Sequence, residues 1–123
     1  MAASTKAIQN AQRVRYIRAL ERFHKTIHTF LAKNETITKE ALDKKIDNAF
    51  KLLSRVEEVQ LYKGELQDLQ TLVKKMIASK QSDEDIQQIR SDLLYGCNQL
   101  DKRRNARKYK KQKHSNSHYE EFA

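Results

Sequence analysis

The chain predicts an all-α fold: a small three-helix bundle, or four-helix if Gly64 marks a break, with a long bent central helix and a basic C-terminal helical extension. Three observations predict it. The 123 residues include no Pro and only two Gly, so nothing systematically interrupts helices. Strand-type runs rich in Val, Ile and Thr are absent. Apolar residues recur at steps of three and four along most of the chain. With 38% apolar and 33% charged residues, the composition suits one domain with a thin core.

The first helix is expected over roughly Ser4 to Lys33. Its apolar stripe is Tyr16, Leu20, Phe23, Ile27 and Phe30, widened by Ile17 and Leu31. Upstream of Val14 the pattern thins to Ala7, Ile8 and Ala11, so the first turns should fray or lie exposed. Arg15, Arg18, Arg22 and Lys25 make a second stripe on the same helix. It reads as a solvated face whose arginine stems cover the core edge, or as one wall of an anion-binding surface.

Residues 34–37 form a turn, and Thr38 suits the N-cap of the next helix. Glu40 falls in the first turn, and Ile37 and Leu42 have the spacing of a hydrophobic staple. The stripe continues through Leu42, Ile46, Ala49, Leu53 and Val56. It then slips to steps of three through Val59 and Tyr62 before resuming as Leu66, Leu69, Val73 and Met76. At 100° per residue the slip turns the stripe by about half a revolution. A straight helix over 38–80 would span roughly 60 Å, too long for a domain this size, so it must bend or break. Glu65 follows Gly64 where a helix-ending motif favours an apolar residue, and no Ser, Thr, Asp or Asn caps a new start. These features favour a continuous, bent helix.

Ser79 to Gln81 read as a turn and Ser82 as an N-cap, with Asp83, Glu84 and Asp85 at the favourable end of the helix dipole. The last stripe is Ile86, Ile89, Leu93, Cys97 and Leu100, flanked by Leu94. The expected core is Leu20, Phe23, Ile27, Phe30, Ile46, Leu53, Val56, Leu66, Leu69, Val73, Ile86, Leu93, Cys97 and Leu100. The chain thus divides into a bundle over 1–101 and a basic extension with a disordered tail over 102–123, the disorder expected from about His114.

Charge points to the class of partner. The net charge is +9, and the basic residues gather at the two ends around a neutral-to-acidic middle. Lys102, Arg103, Arg104, Arg107, Lys108, Lys110, Lys111 and Lys113 crowd one tract, with Tyr109 among them. Such clusters hold phosphate backbones through charge and counterion release, and a tyrosine can stack on an unpaired base. The same composition also serves a solubilising tail, a nuclear-import signal or attraction to acidic lipid.

The remaining motifs are weak. His24 and His28 have the four-residue spacing of half a metal site, and Cys97 is the only thiol that could join them. Both histidines flank core positions, so a core-edge role is expected and no metal. His114 and His118 repeat the spacing. Cys97, on an apolar face, is expected to be a buried, inert thiol. There is no glycine-rich phosphate loop, no nucleophile elbow and no Cys/His framework, so neither catalysis nor a cofactor is expected.

A single cysteine, no signal-peptide core and no apolar run of membrane-spanning length suggest an intracellular setting, cytoplasmic or, in a eukaryote, nuclear. The leading expectation is a non-catalytic nucleic-acid-binding or ribonucleoprotein-associated protein, for RNA or DNA. It would use the C-terminal tract and the first-helix stripe. The alternative is a helical protein-interaction module, such as an adaptor, chaperone or assembly subunit, whose tail serves solubility or targeting. A protein partner or self-association would cover apolar surface left by the thin core.

Overall fold

The computed structural model describes the backbone of residues 2–122 and the side chains of residues 6–104. The described residues form four helices: α1 (Ala2–Lys33), α2 (Lys39–Leu53), α3 (Gly64–Ala78) and α4 (Ile86–Phe122), with a single 3-10 turn at Ser79–Gln81. No strand occurs among them.

The helices make a small up-down-up-down bundle. α1 packs against α2 and α3, α3 packs against α4, and α1 also touches α4. Tyr16 and Leu20 of α1 share a cavity wall with Phe50 and Leu53 at the end of α2, so these two helices are antiparallel. Arg90, near the start of α4, donates to the Leu31 and Asn34 carbonyl oxygens at 3.0 and 2.9 Å. The start of α4 therefore sits at the end of α1, and its guanidinium satisfies carbonyls that a helix end leaves open.

The core runs down the middle of the bundle. Leu20, Phe23, Ile27 and Leu31 face Leu42 and Ile46, Leu69, Val73 and Met76, and Leu93 and Cys97, all buried. Of the expected core, Phe30, Leu53, Val56, Leu66 and Ile86 are half-buried residues packed on its edge. The pattern missed Leu61 and Leu72, which are buried.

The first connection follows its local sequence. Thr38 is extended and its Oγ1 accepts from the Ala41 N–H at 3.1 Å, while Ile37 and Leu42 are both buried beside it. Cap and staple together specify where α2 starts.

The second connection departs from expectation. Residues 38–80 do not make one bent helix: α2 stops at Leu53 and α3 begins at Gly64. The steps of three are the mark of the missing helix. Val56 and Val59 pack on the core edge, Leu61 is buried, and Tyr62, placed in the stripe by its spacing, is 68% exposed. Val59 and Leu61 are two apart, a spacing that no helical face offers.

Long-range contacts hold the segment down. Glu58 pairs with Lys74 at 2.7 Å and accepts from Gln70 Nε2 at 2.9 Å. Gln70 Nε2 also lies 2.6 Å from the Tyr16 hydroxyl. Gln12 donates to Glu57 at 3.0 Å, and Gln67 Nε2 donates to the Leu61 carbonyl at 2.8 Å. Gly64 does not cause the break through backbone freedom, because its φ is not positive. Lys63 stands at the N-cap with no side-chain bond, so the new helix starts without the cap that sequence reasoning required.

α4 also starts later than expected. Ser82 closes the 3-10 turn and its Oγ accepts from the Glu84 N–H at 3.2 Å. The capping role falls to Asp85, whose carboxylate accepts from the Gln87 N–H at 3.2 Å and whose carbonyl accepts from the Ile89 N–H at 3.0 Å. Ser82 instead makes a local turn with a competing hydroxyl bond. At Gly96 a Cβ would lie 2.8 Å from Leu72 Cδ1, so the glycine lets α3 and α4 approach closely. Beyond Gly96 no Gly or Pro occurs, and the α4 backbone stays helical through 102–113 and on to Phe122. The tail expected to be disordered from about His114 falls within that backbone span, and its side chains lie outside the described residues.

Candidate functional site

α1 presents two different surfaces around its core stripe. At 100° per residue, Arg15, Arg18, Arg22 and Lys25 lie roughly opposite Leu20 and Ile27. All four are exposed, and none pairs with a carboxylate among the described residues. With a rise of 1.5 Å per residue, the stripe extends about 15 Å along the helix. Within α1 the only acid is Glu21, against seven basic residues.

The C-terminal tract is divided. Lys102 is exposed. Arg103 Nη1 lies 2.6 Å from Asp68 Oδ2, and Arg104 Nε lies 3.7 Å from Glu65 Oε1, both acids being on α3. Arg107, Lys108, Tyr109, Lys110, Lys111 and Lys113 have side chains outside the described residues. Among the described residues the two basic features do not converge on one groove. Arg103 and Arg104 turn to α3, whereas the α1 stripe faces away from the bundle. The pattern of charge in the sequence could not reveal this, because Asp68 and Glu65 lie more than thirty residues upstream.

A second cluster lies where α1 meets α4. His24 and His28 sit one turn apart on α1, and a ligating atom of each lies within 4.8 Å of the other and of the Cys97 sulfur on α4. The two imidazoles are 5.5 Å apart between centroids and tilted by 43°. His24 is 6% exposed, Cys97 is fully buried and His28 is half-buried. His24 Nε2 is buried without a hydrogen-bond partner.

Burial, followed by the neighbouring His28, holds the His24 imidazole down at about 4, so it is neutral at ordinary pH. Burial, followed by the nearby Asp101 charge, pushes the Cys97 thiol up to about 12. A thiol so placed is a poor nucleophile, as its apolar position implied. The histidine spacing was legible in the sequence. Its meeting with Cys97 depends on the packing of helices about seventy residues apart.

Two concave regions occur elsewhere among the described residues. One, of about 200 Å³, is lined by Lys75, Ser79, Ser82, Glu84, Asp92 and apolar neighbours. The other, of about 250 Å³, lies between α1, the end of α2 and α3, with Phe50 at its rim. Both are smaller than ordinary small-molecule pockets. Neither brings a nucleophile together with a histidine base. No helix among the described residues is long and apolar enough to cross a membrane. The chain matches no protein-family model, no curated protein and no solved structure with which it was compared.

Proposed function

We propose that this is a non-catalytic nucleic-acid-binding protein in which a helical bundle carries phosphate-neutralising surfaces. The observation that supports it best is the α1 stripe. Four exposed cations share one face of α1, none of them ion-paired among the described residues and Glu21 the one acid of that helix, in a chain of net charge +9. Solvated cations without intramolecular partners are free to exchange counterions for phosphates. The tract over 102–113 adds charge, with Tyr109 available to stack on an unpaired base. Arg103 and Arg104 contribute less, since each already has a carboxylate at hand.

The test is binding of labelled single-stranded and duplex RNA and DNA across a salt series. Affinity should fall linearly with salt on logarithmic axes. Replacing Arg15, Arg18, Arg22 and Lys25 together by Gln should flatten that slope by about three to four, near one unit for each phosphate no longer neutralised. Replacing Lys102, Arg107, Lys108, Lys110, Lys111 and Lys113 by Gln should remove most of the remaining affinity. Binding that ignores salt, or that survives both sets of changes, sinks the proposal.

One observation favours the interaction-module reading. Phe50 and Leu52 are 43% and 47% exposed near the end of α2, Phe50 at the rim of the larger cavity. Exposed apolar side chains beside a groove suit a partner helix. Stable self-association in light scattering, unchanged by added nucleic acid, would favour that reading over the first.

A further inference from the structure

We infer that His24, His28 and Cys97 form a binding site for a divalent transition-metal ion of the zinc class, which clips α1 to α4. The donor set is two imidazoles and one thiolate, a combination that suits zinc better than the oxygen-seeking calcium or magnesium. Each of the three offers one ligating atom, and these atoms lie within 4.8 Å of one another. A tetrahedral zinc site brings its nitrogen and sulfur ligands to within about 3.5 Å of each other. The three must therefore close by roughly 1.3 Å at most. His28, half-buried, has room to make that adjustment by turning about its side-chain bonds.

A second observation points to a ligand independently of the cluster. His24 is more than nine-tenths buried, yet its Nε2 has no hydrogen-bond partner. Buried polar atoms are ordinarily satisfied, and one left open costs about 1–3 kcal/mol. A metal ion would satisfy it. The other ring, on His28, is held beside it by the helical repeat, and Cys97 is delivered by the packing of α4.

On binding, the sulfur–hydrogen bond breaks, a metal–sulfur bond forms and one proton leaves to solvent. The two imidazoles coordinate through lone pairs and release nothing. Solvent takes the fourth position. Asp101, one turn beyond Cys97, places a negative charge near both His24 and Cys97, opposed at His24 by the positive charge of Arg104. Two turns beyond Cys97 on the same helix, Arg104 pairs with Glu65 of α3. The clip would therefore fix the root of the basic tract, although metal binding stands or falls independently of nucleic-acid binding.

The test is cobalt(II) titration of the full-length, metal-free chain under a phosphine reductant. A thiolate-to-cobalt charge-transfer band and the strong visible absorbance of a tetrahedral site should saturate at one equivalent. Zinc should displace both, and the thermal midpoint should rise with either ion. Cys97→Ser should abolish the charge-transfer band. His28→Asn, at a half-exposed position, should keep the helical circular dichroism and weaken cobalt binding at least tenfold. His114→Asn with His118→Asn should change nothing. The inference is overturned if stoichiometric cobalt gives no charge-transfer band, if His28→Asn binds as tightly as the parent, or if the band depends on His114 and His118.

Discussion

The two connections on either side of α2 teach different lessons. Residues 34–38 turn the chain because the local sequence says so. Thr38 caps the next helix, and Ile37 staples to Leu42. Residues 54–63 contain no residue that must stop a helix, yet α2 ends at Leu53 and no helix resumes until Gly64. There the stop is imposed from outside, by α1 and α3. Tyr16, Gln70 and Lys74 gather around Glu58, Gln12 reaches Glu57, and Leu61 enters the core. One turn is written in a cap. The other is the sum of contacts made by residues distant in sequence.

That contrast can be broken by mutation. The largest effect should come from Leu61→Ala. Leu61 is 3% exposed, and truncating a buried leucine costs about 2–5 kcal/mol. Chemical denaturation would measure it. A loss below about 0.5 kcal/mol, the scatter of surface changes, would mean that packing does not hold the second connection.

Thr38→Ala tests the first connection. It removes the bond to the Ala41 N–H and should cost about 1 kcal/mol. The loss should leave hydrogen exchange in 54–63 unchanged. If protection there falls as well, the two connections are not independent.

The smallest effect belongs to Gly64→Ala. Nothing lies within 4 Å of the position a Cβ would take, and φ is not positive. The substitution should be neutral or stabilising, by no more than about 1 kcal/mol. Marked destabilisation would return the break to Gly64 itself and undo the comparison.

The candidate surfaces show the same division. The α1 stripe was readable from spacing alone, because a helix repeats every 3.6 residues and its polar face needs no partner. The tract was readable only as composition. That Arg103 and Arg104 answer to Asp68 and Glu65 became visible once α3 lay beside α4. His24 and His28 were a spacing, with Cys97 only the one thiol that could join them. Cys97 stood as a lone apolar thiol, and nothing in the linear pattern joined the three. Asp85 taking the cap expected of Ser82 is a smaller case. Both residues offer a suitable oxygen, and a three-residue difference in where the helix begins is decided by the 3-10 turn before it.

The sequence by itself determined that the chain is all-α, where α2 begins, which face of each helix is apolar and that the cations gather at the two ends. Those properties follow from residue-by-residue preferences and from a period that each helix carries alone. Only the tertiary structure decided that the central stretch is two helices, that Leu61 is core and Tyr62 surface, and that two histidines meet a cysteine. Each of these depends on which helices become neighbours. That choice is made by burying apolar area, a non-directional force that acts between residues far apart in the chain and overrides the weaker local preference for continuing a helix.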